Sequence, residues 1–237
     1  MVRTAVPAIA VLAFALIGVA SRPEAASQGP PHQQHGDHEH AGAVEAMSGH
    51  GHHREDPHMK LTAVRQIQSG DRERADAILK TLRRALEPYR RSERAERDGY
   101  QPFLAQLPLP EHHFTNWRYG FLGAFRFNPE QPTSLLYRRN GREYALAGAM
   151  YTAPARATED QLNERVPLSI GRWHLHANIC LPPNGVRRPD PTRFGFKGSI
   201  ASKEACDAAG GRFHPQIFGW MIHVYPFEQD PAKVWAH

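Results

Sequence analysis

Two histidines one residue apart, His174 and His176, sit in the run Arg172-Trp173-His174-Leu175-His176-Ala177-Asn178-Ile179-Cys180. In an extended strand side chains alternate between faces, so these two imidazoles share one face, while Trp173, Leu175 and Ala177 share the other. A third histidine, His223, lies in a second strand-like run, Gly219-Trp220-Met221-Ile222-His223-Val224-Tyr225. A pair of imidazoles backed by an apolar face, with a third on a later strand, is a means of presenting nitrogen ligands to one late transition-metal ion. The competing reading is ordinary histidines, each hydrogen-bonded in a half-buried sheet; the His-x-His spacing together with His223 favours metal. Cys180 follows His176 by four residues and is a conceivable thiolate ligand. Glu228 is a more remote donor, and His214 falls in an expected turn.

The elements around these residues are legible in part. Ala75, Ile78, Leu79, Leu82, Leu86 and Tyr89 recur at spacings of three and four, which predicts a helix over residues 72–87, capped by Asp71 and broken at Pro88. Residues 90–98 form a second short helix ending at Gly99. Beyond Tyr100 the texture is β. Residues 101–111, with three prolines, read as an irregular connection, and residues 119–127 as a strand. Runs 134–139 and 142–151 flank Asn140-Gly141, a hairpin signal because both residues tolerate positive φ. Residues 157–165 read as a helix with a Thr158/Gln161 capping box, 181–193 as a surface loop, 203–209 as a helix capped by Ser202 and stopped by Gly210-Gly211, and 219–227 as the last strand.

The ends of the chain bear on compartment. Met1-Val2-Arg3 followed by an apolar run to Val19 and a small-residue site before Ser21 reads as a signal peptide over residues 1–20; the alternative is an uncleaved anchor. After cleavage no stable membrane insertion is expected. Residues 21–57 carry Gly, Pro, Gln and Ala with scarcely any large apolar side chain, and histidines at 32, 35, 38, 40, 50, 52 and 53, with His58 just beyond. Such a segment is expected to be a disordered tail, binding metal weakly and multiply or serving only as a spacer. The two cysteines, Cys180 and Cys206, are expected to form a disulfide in an oxidising compartment, against the rival role of Cys180 as a ligand. The net charge is +5, but acidic and basic residues interleave from Arg65 to Asp98, the pattern of a solvated helix face, and no nucleic-acid partner is expected.

The phrases Asp98-Gly99-Tyr100, His113-Phe114-Thr115-Asn116, Leu135-Leu136-Tyr137, Gly148-Ala149-Met150-Tyr151 and Trp173-His174-Leu175-His176 resemble families of secreted bacterial proteins to which no activity is attached. That resemblance implies secretion and one folded unit. A partial resemblance to the cupin barrels rests on His174-x-His176 followed by a third histidine, His223, after Pro215 and Gly219. Where that pattern carries a Glu, this chain has Ile179 or Cys180, which moves the site toward softer ligands and toward Zn²⁺ or copper. His113 can restore a fourth ligand, whereas His112, by alternation, faces away from it.

The chain is therefore expected to hold one α+β domain over residues 58–237. It would be a mainly antiparallel sheet or cupin-like β-barrel, with an N-terminal helix packed outside. His113, His174, His176 and His223 would converge on one metal ion. The function read from these residues is that of a periplasmic or secreted transition-metal-binding protein. The alternatives are a cupin-like metalloenzyme, oxidoreductase or hydrolase, using the same histidines, and a secreted interaction module without metal. There is no Gly-rich phosphate loop, Gly-x-Ser-x-Gly elbow, Cys-x-x-Cys or His-Glu-x-x-His to support another chemistry.

Overall fold

The computed structural model describes residues 56–105, 109, 111–141 and 143–235. The expected signal peptide and most of the histidine-rich tail lie outside the described residues. Strand β1 (Met59–Leu61) is the first element of the described residues, followed by helix α1 (Asp71–Leu86), a 3₁₀ turn (Glu87–Arg90) and α2 (Ser92–Arg97). Next come β2 (Gln101–Pro102), β3 (Glu111–Thr115), α3 (Trp117–Phe125) and the hairpin β4 (Ser134–Asn140) and β5 (Glu143–Ala153). Helix α4 (Glu159–Arg165), β6 (His174–Leu181), α5 (Lys203–Ala208), β7 (Arg212–Val224) and the short α6 (Pro231–Val234) complete the order.

The seven strands of the described residues belong to one antiparallel sheet, in the order β1-β6-β7-β5-β4-β3-β2. The α+β class with a mainly antiparallel sheet is thus observed, while β1 and β2 remain edges and the sheet is not closed into a barrel. One face carries Phe114, Leu135, Tyr137, Ala149, Tyr151, Trp173, Ile222 and Val224, all buried in the main core with Ile78, Leu79, Leu82 and Leu86 of α1. The stripe read from the sequence is therefore core, and α1 covers that face as expected. Gly70 rather than Asp71 is the N-cap of α1. The Asp71 carboxylate instead accepts from the Gln68 amide and the Ser169 hydroxyl, tying the helix start to the loop before β6.

The expected strand over 119–127 is a helix. Asn116 caps α3 by accepting from the Tyr119 amide, and Arg165 of α4 donates to the carbonyls of Gly123 and Ala124 near its end. Trp117, Phe121 and Phe125 are exposed and Tyr119 is only half-buried against the core, so the β-like composition reflects surface content and not strand pairing. His214, assigned to a turn, instead lies within β7, opposite Ile179. The last strand is longer than expected because it begins at Arg212.

Cys180 and Cys206 form a disulfide, 5.6 Å between Cα atoms, which joins β6 to α5. A side chain on Gly211 would lie 2.5 Å from the Cys180 sulfur, so only glycine fits where the chain leaves α5 beside the bridge. Cys180 is consequently not a thiolate ligand.

Candidate functional site

The opposite face of the sheet carries the histidines. On β3, alternation puts Glu111, His113 and Thr115 on that face and turns His112 toward Tyr144 on the other, with ring centroids 5.4 Å apart. On β6 it puts His174 and His176 there, and on β7 Met221 and His223, with Tyr225 just past the end of β7. All four candidate histidines are buried, and their rings form a chain of edge contacts. Centroids are 5.3 Å apart for His113–His223, 5.1 Å for His174–His223 and 5.5 Å for His174–His176.

The first of these contacts requires curvature. β3 and β7 are separated by β4 and β5, so in a flat sheet three strand spacings would hold them about 14 Å apart. Their side chains nevertheless meet, both at His113–His223 and where the Tyr225 hydroxyl donates to Glu111 Oε1 at 2.8 Å. The histidine face is therefore strongly concave. Two irregularities in the ladders accompany the bend, one between Leu136 and Tyr137 and one between His174 and His176.

At the second irregularity His174 pairs with Met221 and His176 with Ile217, so a two-residue step on β6 spans four residues on β7. The extra residues include Phe218, whose φ is +66°, and Gly219, where a Cβ would lie 2.1 Å from the Ala153 carbonyl oxygen. Leu104 has φ +55°. Bulky residues adopt this left-handed region at a cost of roughly 1–3 kcal/mol, and such strain gathers at functional sites. Both residues line the pocket in front of the histidines.

That pocket has a volume of about 110 Å³. His113, His174, His176 and His223 are in its wall, with Met150, Met221 and three threonines; Phe103, Leu104, Trp117, Phe196 and Phe218 surround it further out. The threonine hydroxyls are engaged, Thr133 with Thr152 at 2.8 Å and Thr115 with Ser134 at 2.9 Å. His113 Nε2 is buried without a hydrogen-bond partner. Burial, reinforced by the neighbouring His176 and His112, pushes the His113 imidazole down to about 4. Burial also pushes His176 down to about 4, against the opposing influence of Asp56 and of a hydrogen bond to the His58 backbone. Both rings are therefore neutral at pH 7, with a lone pair to offer.

The carboxylate closest to this arrangement was missed in the sequence. Glu111 is buried, accepts from Tyr225 and pairs with Arg138 at 3.5 Å; Arg138 also contacts Glu228 at 3.3 Å. Burial first and the Glu111 charge second hold the Tyr225 hydroxyl above its usual range. Glu111-His112-His113 contained the signal, since alternation puts Glu111 and His113 on one face. Glu228 reaches only the far side of Arg138. His58, near the end of the tail, is buried at the β1–β6 edge, its ring nitrogens facing the carbonyl oxygens of Asn178 at 3.0 Å and Gly198 at 2.5 Å.

Among the described residues, no group of three or more His, Cys, Asp or Glu is arranged, as the side chains stand, to hold a metal ion. None of their helices is long and apolar enough to cross a membrane. Compared with protein-family models, curated proteins and solved structures, the chain matches none.

Proposed function

We propose that this protein is a secreted or periplasmic transition-metal-binding protein whose site is His113, His174, His176 and His223. One observation carries the reading: four imidazoles from three strands line a single pocket in consecutive contacts of 5.1–5.5 Å. Zinc–nitrogen bonds of about 2.0–2.1 Å put each ring centroid about 3.2 Å from the ion, and ligands at tetrahedral angles then lie about 5 Å apart, centroid to centroid. The spacing of these three adjacent ring pairs suits a shared ion, although as the side chains stand the four do not form a group that holds one. The terminal torsion of histidine is broad and shallow, so each ring can turn toward a common ion at small cost. The buried, unpartnered Nε2 of His113 supports the reading, because a nitrogen shut off from water without a partner is costly unless something fills the role.

The donor set is all nitrogen, which suits Zn²⁺ or copper over Mn²⁺ or Ca²⁺. Secretion is supported by the apolar leader and the disulfide. A second reading, a metalloenzyme with cupin-like use of the same histidines, is favoured by the cavity itself, since space beside the ligands leaves a coordination position for water or substrate. Co²⁺ titration followed by its visible spectrum tests both. One equivalent giving intense tetrahedral bands, abolished in His174→Ala, supports metal binding; bands that shift when azide is added show an exchangeable position and favour the enzyme. Absence of any stoichiometric Co²⁺ spectrum overturns both.

A further inference from the structure

The pocket in front of the histidines has a composition of its own. Among the described residues no Lys, Arg, Asp or Glu lines it, and its threonine hydroxyls are occupied with other hydroxyls. Carboxylate, phosphate and sugar ligands thus find no side-chain charge and few free hydrogen-bonding groups. Its outer part is aromatic and connected. Phe103 meets Trp117 and Phe218 edge to face, with centroids 6.2 and 6.0 Å apart; Phe196 stacks with Phe218 and meets His176 at 4.7 Å. Trp117 and Phe218 are respectively 66% and 50% exposed. Large aromatic surface left toward solvent, on a residue held in left-handed backbone at a strand irregularity, is costly in a protein that uses it for nothing. An apolar cavity of about 150 Å³ is known to admit benzene, so 110 Å³ open at one side accommodates a single ring.

We infer that the pocket binds a small, neutral, monocyclic aromatic with one oxygen donor, of the phenol class, its ring among Phe103, Phe196 and Phe218 and its oxygen toward the histidines. The ring end of this inference stands on the pocket alone. The oxygen end rests on the metal reading above: imidazole ligands bring no charge to a bound dication, and a phenol that gives its proton to solvent and joins as a fifth ligand offsets one of its two positive charges.

The test uses the full chain, metal-free and after loading with one equivalent of Co²⁺, and titrates phenol by calorimetry, with acetate and glycerol as comparators. Metal-free protein should bind phenol and neither comparator. Phe196→Leu and Phe218→Leu, which keep apolar bulk but remove the ring, should each weaken it about tenfold while the circular dichroism spectrum is unchanged. Should either variant fail to fold, the exposed Trp117→Leu replaces it, with a severalfold loss expected. Co²⁺ loading should tighten phenol and let it shift the visible bands. If Co²⁺ binds but phenol neither binds nor perturbs the spectrum, this inference is overturned and the metal reading stands. If phenol binds the metal-free chain and no Co²⁺ is taken up, the oxygen end and the metal reading fall together. Equal binding of acetate and phenol overturns the aromatic specificity.

Discussion

His113 and His176 have the same problem at different places on one face: each imidazole is buried deeply enough that protonation is disfavoured until about pH 4. An unfolded chain protonates its histidines near 6.5. Between those values the unfolded state binds more protons than the folded one, so stability is fully present above about 6.5 and is lost as pH falls toward 4. Metal-free protein should lose a few kcal/mol over that window, read as a falling urea midpoint, and His113→Gln should flatten the decline. A midpoint independent of pH between 7 and 4 would contradict the burial argument. Glu111 and Tyr225 offer a second test at this scale. Their hydrogen bond joins β3 to the residue just after β7 across the concave face, and Tyr225→Phe removes the donor from a buried carboxylate. The expected loss is about 1–3 kcal/mol by chemical denaturation.

Among the elements, the disulfide and the two misread segments show what the sequence does and does not contain. Cys180–Cys206 closes a span of 26 residues that includes Phe196, and replacing both cysteines by serine should cost about 3 kcal/mol. Because the sulfurs pack with Ile200 in a separate cluster, the same variant should keep its metal affinity; losing it would restore Cys180 to the ligand set. The hairpin, the capping box of α4 and the Ser202 cap of α5 were legible because each depends on a few adjacent residues with specific backbone or side-chain chemistry. α3 was not: Tyr119, Phe121 and Phe125 have strand-like propensity, and the decisive Asn116 cap was the weaker signal. His174 and His176 were legible as a pair on one face. The slip in the β6–β7 ladder that lifts Phe218 over the pocket was not, since a bulge depends on how two distant strands register.

The described residues form a curled but unclosed sheet with its two faces put to different uses, the convex one packed by α1 and the concave one holding the histidines. Alternation could predict which side chains share a strand face. It could not predict that β3 and β7, with two strands between them in the sheet, bend close enough for His113 to meet His223. That curvature makes one site from three strands; the histidines of residues 21–55, outside the described residues, are expected to bind metal only weakly. Equilibrium dialysis of tag-free protein against Zn²⁺, with bound metal counted by elemental analysis, puts this most directly to the test. The full chain and a variant lacking residues 21–55 should each retain one tightly held ion, and His174→Ala or His223→Ala should reduce that to none. Tight stoichiometric binding that survives both histidine substitutions and disappears with residues 21–55 would contradict the account.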